Sequence, residues 1–353
     1  MLPRERVLAA LGHKATDRVP LDFWAVPETW EKLYAHFQTE NAEDILKELG
    51  ADIRQFQPEY KKPLKALPDG SYFDPMGVHR KKVLNGFCAY EEYASSPLGY
   101  VETLADFDGY SWPDIDDFDF TCLPGKIGGA HREYFIKLET GGLFELAWAL
   151  RGYERFMMDL VEAPEIPHFI MNKITDFYCE YVRRAMRCAG DKYDMVYTYD
   201  DIAGQNTLLM SKAMWMEFIR PYHVRLNKVI REEFGKFVMY HSCGAVYDMI
   251  PLLTGLPIDV LNPLQPAARG MDFKQMKQNY GTALCFHGGI DIQHLLPHGS
   301  RREVEEAVRS VVAILGENGG YILASAHYIQ ADTPVENILA MYDCARNTPM
   351  RGQ

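Results

Sequence analysis

The chain has 353 residues, 47% of them hydrophobic and 24% charged, which excludes disorder, collagen and coiled coil as its main description. Its 37 basic and 49 acidic residues leave a net charge of −12, so non-specific binding to nucleic acid or to an anionic membrane surface is not expected, because both need a positive field. No apolar run approaches the ~18 residues that would span a bilayer. The charged start Met1-Leu-Pro-Arg-Glu-Arg6 leads directly into a helix-like pattern, so no secretory signal is expected. The 7 cysteines are odd in number and scattered, which predicts free thiols in a reducing cytoplasm rather than a disulfide framework.

In chain order, short β-rich apolar runs alternate with stretches of helical period. The runs are Val19–Trp24, Ala51–Phe56, Leu143–Trp148, Met195–Asp200, Lys236–Cys243, Asp259–Pro266, Ala283–Ile290 and Gly320–His327. Helical patterns follow several of them, at Ser211–Phe234, Asp272–Tyr280 and Arg302–Leu315. Eight β units with crossover helices predict an α/β fold, a (β/α)8 TIM barrel forming one domain over residues 1–353. The rival is a doubly wound open sheet, which would usually carry a Gly-rich dinucleotide turn after its first strand; none follows Trp24.

Residues 57–141 break the rhythm and read as an insertion between the second and third strands. Within it, Tyr72–Leu84 predicts a hairpin around Asp74-Pro-Met-Gly77. The acidic stretch from Asp106 to Asp119 lacks the calcium-loop pattern and reads as a solvated surface loop.

In a barrel, chemistry gathers at the C-terminal strand ends, and five of the runs end in polar residues there. They are Asp200-Asp201, His241-Ser-Cys243, Asn262-Pro-Leu-Gln265, His287-Gly-Gly-Ile-Asp291 and His327-Tyr-Ile-Gln330. Strand side chains alternate, so His241 and Cys243 share a face and can reach one zinc ion. A third ligand must come from another strand end; His327 is the first choice, with Cys285 and His287 as the alternative pair. The competing reading is a buried thiol beside a hydrogen-bonded imidazole.

Asp200 and Asp201 are candidates for general acid, metal ligand or substrate anchor, against a helix-capping role. Asn262 and Gln265 suit amide or carboxylate groups, or the neighbouring loop backbone. Trp24 and Tyr199 are rings near strand ends that could wall a pocket, or simply pack in the core. Neither Gly288-Gly289 nor Gly319-Gly320 fits a phosphate loop, and no G-x-S-x-G marks a serine hydrolase.

Several segments together resemble the uroporphyrinogen decarboxylase superfamily. They are Pro3-Arg-Glu-Arg-Val-Leu-Ala-Ala-Leu11, Asp17-Arg-Val-Pro20, Leu150-Arg-Gly-Tyr-Glu154, Asp200-Asp-Ile-Ala-Gly-Gln205 and Phe218-Ile-Arg-Pro-Tyr222. The series continues through Tyr240-His-Ser-Cys-Gly244, Leu261-Asn-Pro-Leu-Gln-Pro266, His287-Gly-Gly-Ile-Asp291 and Asp332-Thr-Pro-Val-Glu-Asn337.

The resemblance implies a single barrel and one of two chemistries. The decarboxylases carry an Arg-containing element after the first strand to hold a polyacidic porphyrinogen. Here that stretch is Phe23-Trp-Ala-Val-Pro-Glu-Thr-Trp30, without arginine. Each lost charge-assisted hydrogen bond is worth about 1.5–3 kcal/mol. The other branch comprises zinc methyltransferases that work with corrinoid (cobalamin) proteins, in coenzyme M methylation or O-demethylation. Their H-x-C element is similar to His241-x-Cys243, and their third ligand, a cysteine, is matched here by His327.

The resemblance therefore implies a cytoplasmic methyltransferase whose partners are a corrinoid-binding protein and a small-molecule methyl donor or acceptor. His241, Cys243 and His327 would hold zinc. Asp200, Asp201 or His327 would move a proton, and Trp24, Tyr199, Asn262, Gln265, His287 and Gln330 would contact substrate. The alternatives are a decarboxylase of porphyrinogen or a related acid, and a non-catalytic corrinoid- or thiol-binding barrel.

Overall fold

The computed structural model describes residues 1–84 and 88–350. Seven parallel strands form a curled sheet in chain order: β1 (Ile53–Gln55), β2 (Phe135–Gly142), β3 (Met195–Tyr199), β4 (Phe237–His241), β5 (Val260–Leu264), β6 (Cys285–Ile290) and β7 (Tyr321–Ser325). The first expected strand, Val19–Trp24, is extended but enters the sheet only through isolated bridges of Leu21 and Ala25 to the β7 side. Its backbone still reaches both sheet edges. Leu323 N donates to Pro20 O, Asp22 N donates to Leu323 O, and Asp52 N donates to Leu21 O.

The third expected strand is corrected. Leu143–Trp148 lies in a helix, α2 (Leu143–Arg151), following α1 (Pro3–Leu11) in this numbering. A short, mostly apolar run is too brief for its period to separate strand from helix, and Leu, Ala and Glu favour the helix. The strand that belongs in this place is β2, eight residues upstream. It falls inside the stretch read as insertion, so the inserted segment ends before Phe135. It was hidden because its inward positions Lys137 and Glu139 are charged. The expected helix Ser211–Phe234 is divided into Lys212–Phe218, Arg220–Lys228 and a π turn, Val229–Glu233.

The inserted segment carries a four-stranded antiparallel sheet (65–66, 72–73, 79–84 and 89–95). The expected turn is present, with the Asp74 carboxylate accepting from Met76 N and Val78 N at 2.9 Å each. In the acidic stretch the carboxylates of Asp106, Asp114 and Asp119 accept from nearby backbone amides, so these residues hold local turns.

Strand alternation builds the interior in layers. Ile53, Phe135, Met195, Met239, Val260, Cys285 and Ile322 form a buried apolar layer, closed from below by Val7 and Leu11 of α1. Two residues further along five of these strands stand Gln55, Lys137, His241, Asn262 and His287. A polar layer therefore lies directly above an apolar floor. The opposite faces of the strands, including Ile136, Leu138, Val196, Val238, Leu261 and Leu323, belong to the larger core shared with the helices.

Candidate metal centre

His241 ends β4, Cys243 follows in the loop, and His327 lies two residues beyond β7. Their side chains converge. Cys243 Sγ is 3.2 Å from His241 Nε2, and one donor atom from each of the three residues lies within 4.8 Å of the others. A tetrahedral ion with metal–nitrogen bonds near 2.0–2.1 Å and a metal–sulfur bond near 2.3 Å sets donors roughly 3.3–3.8 Å apart. The Cys243–His241 pair is already near that spacing, the full set lies within 4.8 Å, and its chemistry, two imidazoles and a thiol, suits zinc.

The imidazoles are prepared differently. His327 is pushed down to about 4, chiefly by burial and then by His241, with Asp201 opposing, so it is a neutral ring at neutral pH. His241 is held well above the ordinary histidine range. Burial opposes its charge, but Cys243 and the Asp201 carboxylate outweigh burial. A bound cation would reverse that balance and displace the proton.

Behind His241 runs a buried chain of hydrogen bonds. His241 Nδ1 donates to Asn262 Oδ1 at 2.5 Å, and Asn262 Nδ2 donates to His287 Nδ1 at 2.6 Å. His287 Nε2 donates to Asp22 Oδ2 at 3.1 Å, which also accepts from Lys137 Nζ at 3.0 Å and Trp24 Nε1 at 2.7 Å. This direction follows from the partners: it gives Asp22 the His287 proton and makes Nε2 the edge of His241 that faces the cluster. The charges agree. Burial opposes ionisation of Asp22, yet Lys137 and His287 hold it below the usual carboxylate range, while burial lowers His287 despite Asp22.

The two adjacent aspartates separate by face. Asp201 comes to the cluster, with its Oδ1 accepting from Cys243 N at 2.7 Å and lying 3.5 Å from His241 Nε2. Asp200 points the other way. Its carboxylate accepts from Phe144 N and Glu145 N at 2.9 Å each and from His223 Nε2 at 2.5 Å, so it caps α2 and does not reach the three ligands. Gly142 permits this approach: a Cβ there would lie 2.8 Å from Asp200 Oδ1 and 2.9 Å from the Tyr199 ring.

Gln265 accepts from Gly244 N and donates to Gln205 Oε1. With Cys243, His327, Gln293 and Asp291 it lines a cavity of about 190 Å³. Trp24 lies beneath, its ring 14° from coplanar with His241 at 6.4 Å and Lys137 Nζ 4.3 Å from its centroid. Asn262 and His287 stand behind His241 rather than on a cavity wall. Gln330 accepts from Tyr90 of the inserted sheet and donates to Tyr328 O, away from this cavity. Tyr199 lines a second cavity of about 340 Å³. The Cys285/His287 pair does not form a site. Burial pushes the Cys285 thiol up to about 12, and both ring nitrogens of His287 are engaged.

Three residues escaped the sequence reading: Asp22, Lys137 and Glu139. Asp22 left one signal, a carboxylate in the middle of an apolar run. Lys137 and Glu139 would have emerged from the i, i+2 alternation of β2.

The model of the uroporphyrinogen decarboxylase (URO-D) family matches residues 139–348. The chain belongs to that family. Relatives include the uroporphyrinogen decarboxylase of Mannheimia succiniciproducens, 24% identical over 254 residues, 67% of this chain and 66% of the relative. That of Microcystis aeruginosa is 23% identical over 185 residues, 52% of this chain and 48% of the relative. The chain thus spans from about half to just under two thirds of these relatives' lengths. A solved methyltransferase from Methanosarcina mazei shares the fold, with a TM-score of 0.71 at 16% identity and 98% of both chains covered. No described helix is long and apolar enough to cross a membrane.

Proposed function

We propose that this chain is a methyltransferase that moves a methyl group between a small molecule and a corrinoid carried on a partner protein, with zinc held by His241, Cys243 and His327. The observation that carries the reading is the convergence of one thiol and two imidazoles within 4.8 Å at the C-terminal ends of β4 and β7. Zinc bound there would supply a Lewis acid that polarises a leaving oxygen or lowers the pKa of a thiol.

The protein's own groups do the rest. Asn262 fixes the His241 ring, and Asp201 holds the Cys243 backbone in place while offering a carboxylate beside the cluster. Gln205, Gln265 and Gln293 give the 190 Å³ cavity neutral amides for the polar part of a small molecule. We favour the demethylating direction, since His327 stands where the coenzyme M branch has its cysteine. In the same reading the segment 19–25 is the eighth stave of one closed barrel spanning the chain, since its amides and carbonyls pair with both neighbouring edges.

The decarboxylase reading is weaker on charge. A porphyrinogen bearing eight carboxylates needs cations, yet the cavities of about 340 and 190 Å³ are lined by Asp74, Glu139 and Asp291 with no lysine or arginine, and Arg80, which lines an adjoining cavity of about 150 Å³, is paired with Asp74. The test is metal analysis of the purified chain together with visible absorbance on mixing with a methylated corrinoid protein. The expected result is one zinc per chain, lost in Cys243→Ala, and a corrinoid spectral change that this variant abolishes. A zinc-free chain that decarboxylates uroporphyrinogen would overturn the proposal.

A further inference from the structure

The larger mouth cavity, of about 340 Å³, has an unusual wall. Phe118, Phe177, Tyr178, Tyr181 and Tyr199 supply five rings, and Glu139 and Asp74 supply two carboxylates. Asp74 is already balanced, its Oδ2 paired with Arg80 Nε at 3.0 Å. Glu139 is not. Its Oε2 accepts from two neutral amides, Gln55 Nε2 at 2.5 Å and Gln57 Nε2 at 3.3 Å, and its Oε1 accepts from no described residue. The nearby ammonium of Lys137 is committed to Asp22, one layer below. Burial accordingly pushes the Glu139 carboxyl up, with Lys137 only partly opposing. The cavity adjoins the three ligands, since the Tyr199 ring centroid is 6.4 Å from that of His241.

A part-buried carboxylate without a cation, set among electron-rich ring faces, is poorly matched to any anion. A neutral aromatic ligand would deepen its desolvation without compensating its charge. An organic cation satisfies both parts of the wall, the rings through cation–π attraction and the carboxylate through charge. We propose that this cavity binds a methylated ammonium group, and that the small molecule handled beside the Cys/His cluster is therefore an organic cation. The inference rests on the methyl-transfer reading for the role of that molecule, but the cavity's selectivity stands apart from the metal.

The test is titration calorimetry of the full chain with choline and with its neutral isostere 3,3-dimethyl-1-butanol, before and after zinc loading. The expected result is choline binding at least tenfold tighter than the alcohol. Glu139→Gln should weaken choline at least tenfold while leaving the alcohol unchanged, and Tyr199→Leu should weaken choline with zinc content intact. Equal affinity for the two ligands, no binding of choline by the wild-type chain, or wild-type choline affinity in Glu139→Gln would overturn the proposal. The wild-type comparison decides even if a variant does not fold. Zinc without choline selectivity removes the cation site alone, and choline selectivity without zinc removes the metal reading alone.

Discussion

Asn262 is not one of the three converging donors, yet it sets the orientation of a ring that is. Its amide accepts from His241 and donates to His287. Replacing it with leucine should leave the His241 Nδ1 proton without an acceptor and free the ring to turn. Such outer partners are typically worth about 10–100-fold in metal affinity, and a competition titration with a zinc chelator should show a loss in that range for Asn262→Leu. His327 makes a second prediction. Its folded pKa near 4 lies below the ordinary histidine value of 6.5, so the unfolded chain binds the extra proton first as pH falls. Stability of the metal-free chain should therefore be greatest above about pH 6.5 and fall between there and pH 4, by at most about 3 kcal/mol from this ring. Denaturant titrations at pH 7.5 and pH 5 measure it, and His327→Gln should remove that part of the pH dependence.

Residues on one strand face were readable from sequence; residues that depend on a correct strand assignment were not. The pair His241 and Cys243 follows directly from the i, i+2 rule. The same rule divides Asp200 from Asp201, since Asp201 continues the inward face of Tyr197 and Tyr199 whereas Asp200 continues that of Thr198. Lys137 and Glu139 stayed hidden because an inward face that is polar looks like a surface strand or a loop.

At the scale of elements, α2 is held by a residue far from it in sequence. Asp200, at the end of β3, caps α2 and receives His223 from the Arg220–Lys228 helix. Cap loss alone costs about 0.5–2 kcal/mol, and the buried imidazole left without its carboxylate adds to that. Asp200→Ala should destabilise the chain by about 2–4 kcal/mol in urea denaturation while zinc stoichiometry stays at the wild-type value. A variant of full stability that has lost zinc would show that Asp200 belongs to the metal site instead. The alternation of strands and helices was legible because it repeats along the chain. The error at Leu143–Trp148 arose because a short, mostly apolar run reads as either element; its less buried positions, Glu145 and Trp148, stand three apart, as on one face of a helix.

At the scale of the whole molecule, the N-terminal segment covers the sheet from below and hydrogen-bonds toward both of its edges. Val7 and Leu11 seal the apolar layer. Arg6 donates to Asp52 at 2.6 Å and to Asp17, and Arg18 donates to both oxygens of Asp52. These are residues of the two opening motifs, so that part of the family resemblance reflects architecture rather than chemistry. Asp52 is fully buried, and removing one of its guanidinium partners leaves its charge under-compensated. Arg6→Met should lower stability by about 3 kcal/mol, read from the midpoint of urea unfolding.

The row of bonds from Asp22 through His287 and Asn262 to His241 runs one way only. Its central amide has to give a hydrogen at one end and take one at the other, so a side chain of the same shape is not an equivalent part. An aspartate in that position would take at both ends, oblige His287 to turn its hydrogen away from Asp22 or carry a second one, and strand a carboxylate between two rings. Position 262 therefore works as a polarity key: among residues of its size, asparagine alone lets a salt link buried across the same layer dictate which edge of an imidazole meets the world above.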